Sequence, residues 1–162
     1  MKRVIAAIAC IGVLGGCSVK HPTLLSPDKP YAEALRYTQK GEIDISLENK
    51  ALIIATYLNP IEKSKGQEKF FVRVYIDNDF EDEKKAGLFH PGYELRLNGQ
   101  KPLKIKQIDT DSELAKQMPA IEPWYRLYVV TFKHTESPRL DLSFKNPAYG
   151  GVDLIFPNYL LD

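Results

Sequence analysis

Five carboxylates between Asp77 and Glu83 are the densest group of side chains in the chain that can bind a metal ion. Its members are Asp77, Asp79, Glu81, Asp82 and Glu83. Carboxylate oxygens suit Ca²⁺, but the spacing differs from that of a helix–loop–helix calcium site. That loop requires glycine where Asp82 stands and a bidentate glutamate where Leu88 stands. We therefore interpret the segment as a charged turn that keeps a strand end soluble, with calcium binding as the alternative.

Residue types used in catalysis show no informative spacing. The histidines His21, His90 and His134 have no second ligand at a distance along the chain that is typical of zinc sites. The sequence has no Gly-x-Ser-x-Gly nucleophile motif and no glycine-rich phosphate loop. Acidic residues are numerous enough for a glycosidase pair, yet nothing in the sequence indicates one. We expect no catalytic residue, no metal and no cofactor.

Aromatic side chains beside turn residues are the stronger candidates for contact with a partner. Trp124 follows Pro123, and Tyr149 precedes two glycines, which indicate an exposed turn. Such rings combine apolar area with a polar group and suit a glycan or a protein surface. The alternative is that Trp124 covers the end of a core. We predict contacts with a partner at Trp124, at Tyr149 and in the acidic turn around Asp79.

The N-terminal segment has the pattern of an export signal. Lys2 and Arg3 precede an almost unbroken apolar run from Val4 to Leu14, which is too short to span a membrane stably. The sequence Leu14-Gly15-Gly16-Cys17 that closes it resembles the lipobox of bacterial lipoproteins. This resemblance is limited to the first seventeen residues. It implies removal of residues 1–16 as a signal peptide and attachment of acyl chains such as palmitate to Cys17; an ordinary secretory signal is the alternative.

The same resemblance implies a location in the cell envelope. In lipoproteins an aspartate after the cysteine commonly retains the protein at the inner membrane, whereas this chain has Ser18. We therefore expect an outer-membrane protein that faces the periplasm and is held by two or three acyl chains. Residues 17–29 form a proline-containing tether, and about a dozen residues reach at most about 40 Å.

Composition limits the remaining classes of function. The chain has 162 residues and two cysteines; Cys10 lies in the signal and Cys17 in the lipobox, so the domain must be stabilised by a core and not by disulfides. Without Lys2 and Arg3, twenty basic side chains face twenty-one acidic ones. This balance gives no electrostatic basis for binding nucleic acid. Residues 30–162 suffice for one domain.

The hydrophobic pattern after Gly41 has a period of two and predicts about eight strands. The segments are Ile43–Leu47, Ala51–Leu58, Phe70–Ile76, Tyr93–Leu97, Leu103–Ile105, Tyr125–Phe132, Leu140–Phe144 and Val152–Phe156. A short helix over Ala32–Gln39, capped by Asp28 and ended by Gly41, is expected before them. We predict a mainly β protein, an antiparallel immunoglobulin-like sandwich, with a small closed barrel as the alternative.

Two connections can be predicted in more detail. A three-residue loop of Asn98, Gly99 and Gln100 with a bulge would pair Leu95 with Leu103 in a hairpin and keep both on one face. The stretch from Thr110 to Trp124 is the longest interruption of the β pattern. It predicts a crossover with one or two helical turns, ended by Pro119.

These observations favour a lipid-anchored, non-catalytic binding or scaffolding module of the bacterial cell envelope. The expected partners are the membrane, through Cys17, and an envelope protein or glycan. A surface-displayed adhesin and an envelope enzyme with an unrecognised site are the alternatives.

Overall fold

The computed structural model describes residues 29–119 and 121–158 of the chain. The predicted signal, Cys17, the tether up to residue 28 and the expected cap at Asp28 lie outside these residues. The described elements are α1 Lys29–Arg36, β1 Thr38–Ile45, β2 Glu48–Tyr57, α2 Asn59–Glu62, β3 Gln67–Ile76, β4 Glu94–Leu97, β5 Lys104–Ile108, α3 Glu113–Lys116, β6 Arg126–Lys133, β7 Arg139–Asn146 and β8 Gly150–Pro157, with a 3₁₀ turn at Gly87–Phe89.

The strands form two antiparallel sheets, which confirms the predicted sandwich. The larger sheet has the order β1-β2-β3-β6-β5 and the smaller one the order β4-β7-β8. If β2 is taken as the first strand, this is the constant-type immunoglobulin order, with four strands in one sheet and three in the other. Strand β1 is an additional strand at the edge of the larger sheet. The described strands do not form a closed barrel, so that alternative is wrong.

The core lies between the two sheets and is rich in aromatic rings. Tyr57 stacks on Phe70 with ring centroids 5.0 Å apart, and Phe156 packs edge-on against Phe70 at 5.3 Å. Tyr93 stacks on Phe144 at 5.1 Å and joins the end of the smaller sheet to the same core. All five side chains are buried, as expected for the facing positions of alternating strands.

A second apolar layer covers part of the outer face of the larger sheet. Ala34 of α1 and Ala115 of α3 pack with strand residues that point away from the inter-sheet core. The other buried members of this layer are Leu58, Phe71, Met118 and Leu127. The layer explains why β2 and β3 are apolar on both faces in sequence.

Arg73 of β3 lies inside this second layer with no exposed surface. Its Nη2 donates to Thr56 Oγ1 at 2.7 Å, its Nε donates to the carbonyl of Ile54 at 3.4 Å, and its Nη1 donates to the carbonyl of Pro119. The guanidinium also lies 5.1 Å from the ring of Phe71. No carboxylate among the described residues forms a salt bridge with it. Burial lowers the pKa of Arg73 to about 10, so the side chain is charged at neutral pH.

Two local predictions at the N-terminal side are wrong in detail. Helix α1 ends at Arg36, not near Gln39, and Gly41 lies within strand β1. Gly41 is required by packing, because a Cβ atom there would lie 2.5 Å from a methyl group of Val152. The glycine therefore lets β1 approach β8 and close one side of the sandwich.

The predicted hairpin between the fourth and fifth strands is also wrong. Asn98 and Gly99 form a two-residue turn with positive φ angles of 47° and 79°, and Leu97 and Gln100 exchange backbone hydrogen bonds across it. Beyond this turn the strands separate, since β4 pairs with β7 and β5 pairs with β6. The predicted crossover does contain a short helix, α3, whose Ser112 side chain accepts a hydrogen bond from the Ala115 amide.

We predict that Arg73→Lys lowers the free energy of unfolding by about 2 kcal/mol, because one ammonium cannot reach the three oxygens that the guanidinium now satisfies. Urea denaturation measures the change. Arg139→Lys is the matched control, since Arg139 on β7 is exposed and its replacement is expected to change stability by less than about 0.5 kcal/mol. Equal effects of the two substitutions would contradict the structural importance of Arg73.

Candidate functional site

The three predicted contact residues lie at one end of the sandwich, which we call the loop end. It is formed by the β3–β4 loop (residues 77–93), the β5–β6 loop (109–125), the β7–β8 turn (147–149) and the β1–β2 turn. Asp79, Trp124 and Tyr149 each belong to a different one of these loops. The immunoglobulin strand order brings these loops together, because β3, β5 and β7 all end at this edge.

Asp79 is held by contacts within the protein. Its carboxylate accepts hydrogen bonds from the amides of Phe80 and Gly87, both at 2.9 Å, and from Nε of Arg126 at 3.0 Å. Its side chain is only 16% exposed. The structure thus gives Asp79 a role in shaping the β3–β4 loop, and the predicted contact with a partner at this turn stays a prediction.

The other acidic residues of this turn have separate partners. Asp77 forms an ion pair with Lys50 at 3.0 Å, and Asp82 accepts a hydrogen bond from the Lys84 amide at 3.0 Å. In the part of the chain that the structure describes, no three His, Cys, Asp or Glu side chains are grouped so that they could hold a metal ion.

Gly87 is the residue that allows the β3–β4 loop to fold back over the sheet. Its φ angle is +59°, and a Cβ atom would lie 2.2 Å from the hydroxyl oxygen of Tyr128. Glycine therefore satisfies both a backbone and a packing requirement. Its amide is also one of the donors that hold Asp79.

A groove lined by aromatic rings opens on the outer face of the larger sheet, next to the loop end. We call it the aromatic groove and define it by Tyr75, Trp124 and Tyr125, with Leu52 beside Tyr75 across the β2–β3 pair. Two adjoining concavities of about 510 and 360 Å³ share these three rings. The groove exists because the second apolar layer covers the sheet around Phe71 and leaves Leu52 and Tyr75 half-buried.

Trp124 supplies the most accessible ring of this groove. It is 60% exposed, and its ring centroid lies 6.1 Å from that of Tyr125. It belongs to neither apolar cluster of the described residues. Trp124 therefore does not cover the end of the core.

A separate concavity, the Tyr149 cavity, lies between the β3–β4 loop and the β7–β8 turn. It has a volume of about 420 Å³ and is lined by Tyr93, His90, Asn146 and Tyr149 among others. The Asn146 side chain accepts hydrogen bonds from the amides of Ala148 and Tyr149 at 2.8 and 3.2 Å and so fixes the turn. His90 Nδ1 accepts a hydrogen bond from the Gly92 amide at 2.9 Å.

A cluster of polar residues at the opposite end of the sandwich was not anticipated from the sequence. Glu68 has no exposed surface, and its carboxylate accepts hydrogen bonds from the Tyr57 hydroxyl (2.6 Å) and Asn59 (3.1 Å) and contacts His134 Nδ1 (2.7 Å). Burial and the bond to Glu68 raise the pKa of Tyr57. His134 and His90 are thus at opposite ends and do not form a joint site.

Neither Glu68 nor Arg73 was singled out by sequence reasoning, although each left a signal. Both are charged residues in a strand, β3, whose other members are largely apolar. A charge at such a position must be hydrogen-bonded or paired if it is buried. The pattern identifies the residue, but its partners lie on β2, on α2 and in the segments after β5 and β6, which the pattern of β3 does not contain.

Comparison with known proteins adds no family assignment. No protein-family model, no curated protein and no solved structure matches this chain. Among residues 29–119 and 121–158, no helix is both long and apolar enough to cross a membrane.

We predict that Gly87→Ala destabilises the domain by about 3 kcal/mol, from the left-handed backbone and the steric clash with Tyr128 combined. Gly99→Ala is the matched control. Its φ is +79°, but nothing lies within 4 Å of the added Cβ, so the backbone cost of about 1 kcal/mol should act alone. Thermal or urea denaturation compares the two, and equal losses would show that the Tyr128 contact is unimportant.

Proposed function

We propose that this protein is a lipid-anchored, non-catalytic binding module of the bacterial cell envelope and that it contacts its partner with the loop end. The lipobox resemblance supports an anchor at Cys17, and Ser18 supports the outer membrane facing the periplasm. In an immunoglobulin-like sandwich the strands pack against each other to form the core, and the loops between them are the segments that contact a partner.

The distribution of exposed apolar side chains is the observation that carries this proposal. Of the ten large apolar side chains that are exposed among the described residues, six lie at the loop end. These six are Ile45, Leu47, Phe80, Phe89, Trp124 and Tyr149. Exposed apolar side chains concentrated in one region are typical of an interaction surface.

The positions of the first and last described strands agree with such a use. Strand β1 begins where Thr38 pairs with Thr56, and β8 ends where Pro157 pairs with Arg139. Both points are at the end opposite the loop end. Neither the start of β1 nor the end of β8 therefore occupies the loop end.

For the anchor, we predict that Cys17→Ser abolishes labelling with a fatty-acid probe and releases the protein from the membrane fraction. Cys10→Ser is the matched control, because Cys10 lies within the predicted signal and should not be acylated. Metabolic labelling in a lipoprotein-processing host measures both. Wild-type protein that stays unlabelled would overturn the lipobox assignment, and labelling of Cys17→Ser would place the lipid elsewhere.

For the contact surface, we predict that Trp124→Ala and Tyr149→Ala each weaken capture of the envelope partner at least about fivefold while changing the melting temperature little. Capture is measured by crosslinking in intact cells followed by affinity purification. Leu103→Ala is the control, since Leu103 is 59% exposed and lies at the opposite end. Capture that survives both changes, or that Leu103→Ala weakens equally, would overturn the assignment of the loop end.

Protease treatment of intact cells separates the periplasmic module from the surface-displayed adhesin. A periplasmic protein resists cleavage until the outer membrane is opened, whereas an adhesin is cleaved directly.

A further inference from the structure

We propose that the aromatic groove binds an uncharged carbohydrate chain, with sugar rings stacked on Trp124 and Tyr125. This inference rests on the proposed function, in which the loop end contacts a partner. It adds the chemical class of that partner and assigns its binding to the aromatic groove.

The rings of the groove suit the apolar face of a sugar. A pyranose presents several C–H bonds on one face, and their positive edges are attracted to the negative face of an aromatic ring. Trp124 offers an exposed ring, Tyr125 is tilted by 54° to it, and Tyr75 extends the surface along β3. Three rings in an open groove suit consecutive units of a chain better than one compact molecule.

Uncommitted hydrogen-bonding groups surround these rings. The Asp109 carboxylate, the Gln107 amide and Thr110 line the same groove. None of these side chains, and neither hydroxyl of Tyr75 and Tyr125, has a hydrogen-bond partner among the described residues. Sugar hydroxyl groups both donate and accept hydrogen bonds, so they can satisfy carboxylate, amide and phenol groups together.

The charges of the groove disfavour an anionic ligand. Among the described residues that line the groove, Arg126 is the one basic residue, and its guanidinium is held by Asp79 and by the Phe80 carbonyl. Asp109 has no basic partner among the described residues. A phosphate-bearing lipid or polymer would meet an unpaired carboxylate and no free cation, whereas an uncharged glycan meets no such repulsion.

The sole tryptophan of the chain makes a direct test available. Because Trp124 is the one tryptophan in the sequence, its fluorescence reports on the groove alone. The full chain, extracted in mild detergent, is titrated with the tetramer of N-acetylglucosamine and with cellotetraose. We expect a saturable change in emission and protection of Trp124 from acrylamide quenching with at least one of these probes.

Variants assign the binding to the groove. Asp109 is exposed and Gln107 at the end of β5 is half-buried, and replacing either with alanine is expected to weaken the saturable response at least about fivefold. Leu103→Ala changes an exposed side chain at the opposite end of the sandwich and should leave the response unchanged. Trp124→Phe, followed by calorimetry, should weaken binding without unfolding the domain, which circular dichroism verifies.

The failure of this inference differs from the failure of the proposed function. No saturable response to either oligosaccharide, or a response that Asp109→Ala and Gln107→Ala leave unchanged, overturns the carbohydrate assignment. A response of Trp124 to phosphatidylglycerol vesicles in its place would do the same and indicate a membrane contact. In each case the proposed function would still be supported if capture of the partner depends on Trp124 or Tyr149.

Discussion

The buried guanidinium of Arg73 is the interaction on which the outer layer of this protein depends. A charge without exposed surface is costly unless each of its donors is satisfied. Here the oxygens come from β2, through Thr56 and Ile54, and from the crossover, through Pro119. Thr56 is also hydrogen-bonded to Thr38, which in turn donates to the Ala34 carbonyl of α1. One cation therefore fixes the relative positions of α1, the larger sheet and the β5–β6 crossover.

This constraint has a consequence for the aromatic groove. The crossover carries Trp124 five residues after Pro119, so the anchoring of Pro119 on Arg73 limits where the Trp124 ring can lie. Toward the opposite end the outer face is covered by α1, α2 and α3, while Leu52 and Tyr75 remain half-buried. The groove is thus the uncovered remainder of a sheet face, and its floor is formed by Leu52 and Tyr75 of the paired central strands β2 and β3. A floor that is already held by strand pairing needs little further ordering, which lowers the entropy cost of binding.

The strands could be predicted from the sequence because alternation of apolar and polar residues determines which face is buried. The sandwich class follows from eight such segments. Which strands pair with each other is harder to predict from the sequence. The segments around Leu95 and Leu103 have the alternation expected for a hairpin, yet β4 pairs with β7 and β5 pairs with β6. Pairing in this region is decided by the length of the strands and by burial against the opposite sheet, which local pattern does not contain. The same limit hides the partners of Arg73 and Glu68.

For the candidate site, the sequence identified residues better than it identified their roles. Trp124 and Tyr149 stood out through their turn-forming neighbours, and both are exposed at the loop end. Asp79 stood out through its charge, but its carboxylate accepts hydrogen bonds from backbone amides and from Arg126. Its role is therefore to hold the β3–β4 loop in shape, and other residues form the exposed surface of that loop. Tyr75 was hidden because its position in a central strand resembles a core residue. The alternation of β3 points it to the outer face, and it stays half-buried there because the covering layer ends before it. The aromatic groove is exposed because the second apolar layer ends before Tyr75. The sequence of a single strand does not show where the layer that covers it ends.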